Sequence, residues 1–102
     1  MDATTIDSVM RATGLAADPA FEALTFLIEP IPWMNGYPRG LYFPATKTIV
    51  LPPDANESVL LHEVGHRYGD FYYGDLSEEF AEAFRMRYQQ WLIKEVMGSL
   101  TA

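Results

Sequence analysis

No cysteine occurs in the 102 residues, so no disulfide can brace the fold, and the composition fits a reducing compartment. Histidine is scarce too, with two residues. Positive charge is thin: 7 basic residues stand against 14 acidic ones, a formal net charge of −7. Arg11, Arg39, Lys47, Arg67, Arg85, Arg87 and Lys94 are scattered and form no basic stripe, which argues against a nucleic-acid partner. The acidic surplus serves solubility first. No apolar run approaches the roughly 20 residues of a membrane span. Met1 to Ala17 lacks the basic start, apolar block and small-residue cleavage site of a secretory signal, so a cytoplasmic protein with no membrane partner is expected. Repeats and low-complexity segments are missing as well.

The residues present suffice for a core. Hydrophobic residues make up 49% of the chain and aromatic ones 14%, which is incompatible with a disordered class. The length fits one domain over residues 1–102. A domain of this size buries only about two-thirds of its unfolded surface, so a bound metal can add useful stability. Nothing in the sequence fixes an oligomeric state; a monomer is the default.

The pattern predicts α+β. Thr4 to Thr13 reads as a short helix with Ile6, Val9, Met10 and Thr13 on one face, stopped by Gly14. Asp18-Pro19 opens another turn of helix. Leu24 to Ile28 reads as a buried strand. Pro30, Pro32, Asn35-Gly36, Pro38 and Gly40 break up the next segment. Leu41–Phe43 and Thr46–Leu51 read as two strands joined by a tight turn near Pro44-Ala45. Asp54 or Asn56 caps a helix from Glu57 to about Tyr68, with Gly69 as terminator and a loop from Asp70 to Gly74. From about Leu76 to Met97 a 3.6-residue apolar stripe runs through Leu76, Phe80, Ala81, Phe84, Tyr88, Trp91, Leu92 and Glu95-Val96, centred on Phe84, Tyr88 and Trp91, with Asp75 and Glu78 placed as a capping box. The expected architecture is a small mixed three-stranded sheet packed against two helices.

His62-Glu63-Val64-Gly65-His66 is an H-E-x-x-H pattern, and it holds both histidines of the chain. Residues four apart share a helical face, so both imidazoles can reach one ion. Glu63 lies about 100° further round, placed to take a proton from a water at the metal without being a ligand. Catalytic zinc commonly has three protein ligands. With no third histidine and no cysteine, the third must be a carboxylate from Asp70, Asp75, Glu78, Glu79 or Glu82. Helical phase sends Glu79 towards solvent, whereas Glu78 and Glu82 share a stripe at the edge of the buried face.

The motif and the run Glu78-Glu79-Phe80-Ala81-Glu82-Ala83-Phe84-Arg85 resemble the gluzincin class of zinc peptidases, above all the catalytic domain of anthrax lethal factor. The resemblance, over about Gly40 to Gln90, implies a zincin-like fold and a Zn²⁺-dependent hydrolase acting on polypeptides. It implies His62, His66 and Glu78 as metal ligands, Glu63 as general base, and Glu82 as a residue that orients a ligating histidine. Tyr73-Gly74 is similar to a Tyr-Gly pair whose tyrosine assists the transition state in that family, though two residues nearer the glutamate here; Tyr68 and Tyr72 are rivals. An edge strand, Leu41–Phe43 or Thr48–Leu51, is expected to pair with the substrate. Two departures stand out: the short gap from His66 to Glu78, and the missing substrate-selecting subdomains. They leave open a non-catalytic zincin-shaped module. A weaker likeness to the ImmA/IrrE peptidases, which place a ligand at Glu78 too, leaves open a regulatory peptidase with one protein target.

Overall fold

The computed structural model describes residues 1–36 and 39–101, the last seven by their backbone alone. Pro38 and the side chains of Glu95, Val96 and Met97, all part of the sequence pattern above, therefore lie outside the described residues. Helix α1 spans Ala3–Ala12, where the Asp2 carboxylate accepts the Thr5 amide as N-cap. Its Ile6, Val9 and Met10 are buried, and Gly14 leaves the helix at φ 77°. Two 3₁₀ turns come next, Leu15–Ala17 and Pro19–Phe21, the second capped by Asp18.

Strands β1 (Thr25–Ile28), β2 (Leu41–Phe43) and β3 (Thr48–Leu51) form a mixed sheet in the order β1-β3-β2, with β1 parallel and β2 antiparallel to β3. Phe26, Ile49 and Tyr42 stand side by side across it and join the core, as does Leu51. The helices cover this one face. On the other, Leu27 and Phe43 are exposed, so β1 is an edge strand rather than the buried strand its apolar run suggests. A continuous apolar stretch reads the same whether one face or two are covered. Between β1 and β2, Asn35 (φ 54°) and Gly36 (φ 79°) both take positive φ, the signature of a tight type I′ turn.

Helix α2 spans Glu57–Tyr73; the choice of caps falls on Asn56, whose side chain accepts the Val59 amide. The expected stop at Gly69 is wrong, and residues 70–73 are helix, not loop. Gly69 stays helical because a neighbouring segment needs its missing Cβ: a methyl there would lie 2.5 Å from the Asp75 carbonyl and 2.8 Å from the Phe80 ring. The true terminator is Gly74, in the left-handed region at φ 63°.

Helix α3 spans Glu78–Thr101. Its cap is Ser77, whose hydroxyl accepts the Phe80 amide, while Asp75 accepts the Ser77 amide. The Asp75–Glu78 capping box therefore does not form, which frees the Glu78 side chain. Phe84 is buried, and Phe80, Tyr88 and Leu92 pack on the core at a spacing of four. Leu76, expected at the start of the stripe, precedes the helix, and Trp91, expected at its centre, is half exposed. Helices α2 and α3 touch backbone to backbone at Gly65, where a Cβ would come within 3.0 Å of both the Ala81 Cα and its carbonyl oxygen. Among the described residues no helix is long and apolar enough to cross a membrane.

Candidate metal centre

The close approach of α2 and α3 sets the first turn of α3 beside the H-E-x-x-H face. The His62 and His66 rings lie edge to face with centroids 4.9 Å apart. Both turn their Nε2 atoms to one carboxylate: His62 Nε2 is 2.7 Å from Glu78 Oε2, and His66 Nε2 is 3.2 Å from Glu78 Oε1. On its other side, His62 Nδ1 is 3.0 Å from Glu82 Oε2. His62, Glu63 and His66 bring ligand atoms within 4.8 Å of one another, a group that could hold a metal ion.

The chemistry of this donor set fits a cation. A neutral imidazole has one N–H, yet His62 faces a carboxylate at each nitrogen. With Nδ1–H donating to Glu82, the Nε2 lone pair points at Glu78, and a cation between them, a proton or a metal ion, makes that contact favourable. Tetrahedral zinc ligands stand about 3.4 Å apart, so 2.7 and 3.2 Å need only a slight opening. Two carboxylates compete for the third position. Glu63 is buried (5% exposed), wedged under Gly40 with its Cγ 2.6 Å from where a Gly40 Cβ would be. Glu78 is exposed, free to move, and already touches both Nε2 atoms. Glu78 is thus the better-placed candidate for a third ligand, with Glu63 held beside it.

Electrostatics separates these groups. Burial pushes the Glu63 carboxyl up to about 7, against a downward pull from His62 and, more weakly, from Arg39. Burial also lowers the His66 pKa, which favours the neutral, metal-binding form. Glu82 is held below its usual range chiefly by Arg85, whose Nε and Nη2 donate to Glu82 Oε1 at 2.9 and 2.5 Å. Arg85 also donates to Gln89, and Gln89 Nε2 donates to the Ser58 hydroxyl at 2.7 Å. A polar chain thus runs from His62 across to α3 and back to the start of α2, holding the ring in orientation.

Of the other carboxylates considered as ligands, Asp75 caps a turn and Glu79 faces solvent, as the helical phase requires. Asp70 is engaged elsewhere: it accepts the Tyr42 hydroxyl at 2.8 Å, while buried Arg67 donates to that hydroxyl at 3.3 Å and to the Ala20 carbonyl at 2.7 Å. This network ties β2 to α2 one residue beyond His66, and no motif in the chain marks it. Tyr73 is not brought to the centre. It lies on the last turn of α2, 68% exposed, with its ring against Phe80. Tyr68 stacks between Phe84 and Tyr72, and the Tyr72 hydroxyl donates to Asp18. Among the described residues, no hydrogen bond or ring contact joins any of the three tyrosines to the histidines. Thr48–Leu51 is the central strand, paired on both sides, so it cannot take an extended ligand; β2 is the edge beside the centre.

Two cavities flank Glu63 and Glu78. One of about 660 Å³ lies on the His62 side and includes Ser58, Val59 and Arg85. The other, about 290 Å³, lies on the His66 side and includes Tyr42 and Leu76. Arg39 and Gly40 line both. Comparison with protein-family models, curated protein sequences and solved structures finds no match to this chain.

Proposed function

We propose that this chain is a zinc-dependent peptidase, a minimal zincin-like domain of gluzincin type. The observation that carries the reading is the convergence of both imidazole Nε2 atoms on the Glu78 carboxylate, with Glu82 behind His62 and a buried Glu63 alongside. His62, His66 and Glu78 would hold the ion; nitrogen and carboxylate donors without sulfur suit Zn²⁺. Zinc, when bound, supplies the Lewis acidity that activates water near neutral pH and polarises a carbonyl.

The chain's own residues supply the remaining steps. Glu63 accepts the proton of the attacking water and passes it to the departing amine. Glu82 and Arg85 keep the His62 ring oriented. Strand β2 offers its free edge to an extended polypeptide, with Gly40 letting the chain come close to Glu63. The absence of cysteine fits a cytoplasmic setting.

The test joins metal content to cleavage. Native protein, purified without chelator or histidine tag, is expected to carry about one zinc per chain and to cut a mixed peptide library. Glu63→Gln should retain the zinc and lose the cleavage. Zinc in both proteins with cleavage in neither would instead favour a non-catalytic metal-binding module. A Glu63→Gln protein that still cut peptides would remove Glu63 from its role.

A further inference from the structure

The charged groups around the centre cancel in pairs once a dication is counted: the metal against Glu63 and Glu78, and Arg85 against Glu82. One charge is left over. Arg39, half-buried at the mouth of both cavities, makes no ion pair among the described residues; its guanidinium Nη1 lies 2.9 Å from the Met34 sulfur. A thioether is a weak acceptor and leaves the five donors of a guanidinium largely unused. Arg39 acts on the buried Glu63 through space, yet among the described residues no carboxylate lies within ion-pair distance of its guanidinium, which leaves the fork open at the cavity mouth. Its fork geometry is made for a carboxylate.

Resting on the peptidase reading, we propose that Arg39 binds a carboxylate of the substrate, so that the site selects peptides with a negative charge close to the scissile bond. Because the two cavities meet at Glu63 and Glu78 and share Arg39, that charge falls beside the bond cut. It can come from a chain terminus or from an acidic side chain. Both present the same group to Arg39, and they imply different peptidases, one trimming ends and one cutting beside Asp or Glu.

Hydroxamates, which bind zinc and are not cleaved, separate these cases by affinity alone. Zinc-loaded protein is titrated with the hydroxamate of succinyl-alanine, carboxylate free or amidated, and with that of succinyl-aspartate amide beside its asparagine counterpart. The charged member of at least one pair should bind about 10- to 100-fold tighter, the usual range for hydrogen bonds to a charged group. In Arg39→Ala the ratio of charged to neutral probe affinity should collapse towards one, and Arg39→Lys should keep part of it. Arg39→Gln, nearly the same shape, checks any Ala variant that folds poorly. Equal binding within both pairs, or a preference that survives in Arg39→Ala and Arg39→Gln, overturns the proposal and leaves the metal centre standing. Failure of every hydroxamate to bind overturns both.

Discussion

The contact that brings the carboxylates to the histidines is the one at Gly65, and replacing it with alanine tests whether helix spacing builds the centre. Two effects oppose each other. Alanine is the better helix former by about 1 kcal/mol in a helix interior. Its Cβ, however, would sit 3.0 Å from the Ala81 Cα, 3.0 Å from the Ala81 oxygen and 3.1 Å from the Phe84 Cβ. Two of these atoms are backbone and cannot turn aside, so the helices must part by a few tenths of an ångström, at the upper end of the ~1–3 kcal/mol typical of overpacking. Overpacking wins. Gly65→Ala should be destabilised by about 1–2 kcal/mol, a fall in Tm on the order of 5–15 °C for a domain of this size. Glu78 and Glu82 ride on the helix that moves, so zinc affinity should drop about tenfold or more, in line with the loss of an oriented ligand shell. Thermal melts with chelator give the first number, and zinc competition against a chromophoric chelator gives the second. Gly74→Ala is the control, strained at φ 63° but with nothing within 4 Å of its Cβ: it should lose stability and keep the affinity. A Gly65→Ala protein as stable as wild type, with unchanged zinc affinity, would refute the reasoning.

Glu78→Ala should weaken zinc binding at least tenfold, the loss typical of a disturbed ligand shell, and Glu79→Ala hardly at all, read by the same competition; equal losses would show that helical phase does not divide the two side chains. Gly40→Ala places a methyl 2.6 Å from the Glu63 Cγ and should cut the rate of peptide cleavage sharply while metal content stays at wild-type level. Glu63 predicts an unusual pH dependence of the metal-free fold. Its carboxyl holds a proton up to about 7 in the folded state against 4.5 unfolded, so between these values the folded chain binds more protons and stability falls as pH rises. Metal-free Glu63→Gln should lack this fall and exceed wild type near pH 7.5 by on the order of 2–3 kcal/mol. Denaturant titrations at pH 5 and 7.5 decide it, and parallel behaviour of the two proteins would dismiss the burial argument.

The local pattern of the sequence carries the elements well, because local physics makes them: Asn56 and Asp18 are caps, Ile6, Val9 and Met10 face inward, and the two C-terminal helices form where periodicity puts them. The failures have one source. Gly69 looks like a stop, and Asp75 with Glu78 looks like a capping box, when each is judged on its neighbours in sequence. In the fold, Gly69 is held helical by Asp75 and Phe80 passing over it, and Ser77 takes the cap so that Glu78 can turn to the histidines. Strand β1 reads as buried for the same reason, since burial of a short apolar run depends on what lies across the sheet.

The same division runs through the site. His62, Glu63 and His66 lie within one turn of helix, and Glu78 with Glu82 within another, so spacing alone reveals each set. What spacing cannot reveal is which tyrosine or arginine arrives from elsewhere. Tyr73 shortly precedes Glu78 in the chain, yet one more turn of helix α2 carries it away, while Tyr42 and Arg39 come from the β2 side with no motif to mark them. Chain order favours a tyrosine as the polar partner of a developing charge. The cavities bring Arg39 instead, whose fixed charge suits the substrate carboxylate proposed for it rather than a developing oxyanion.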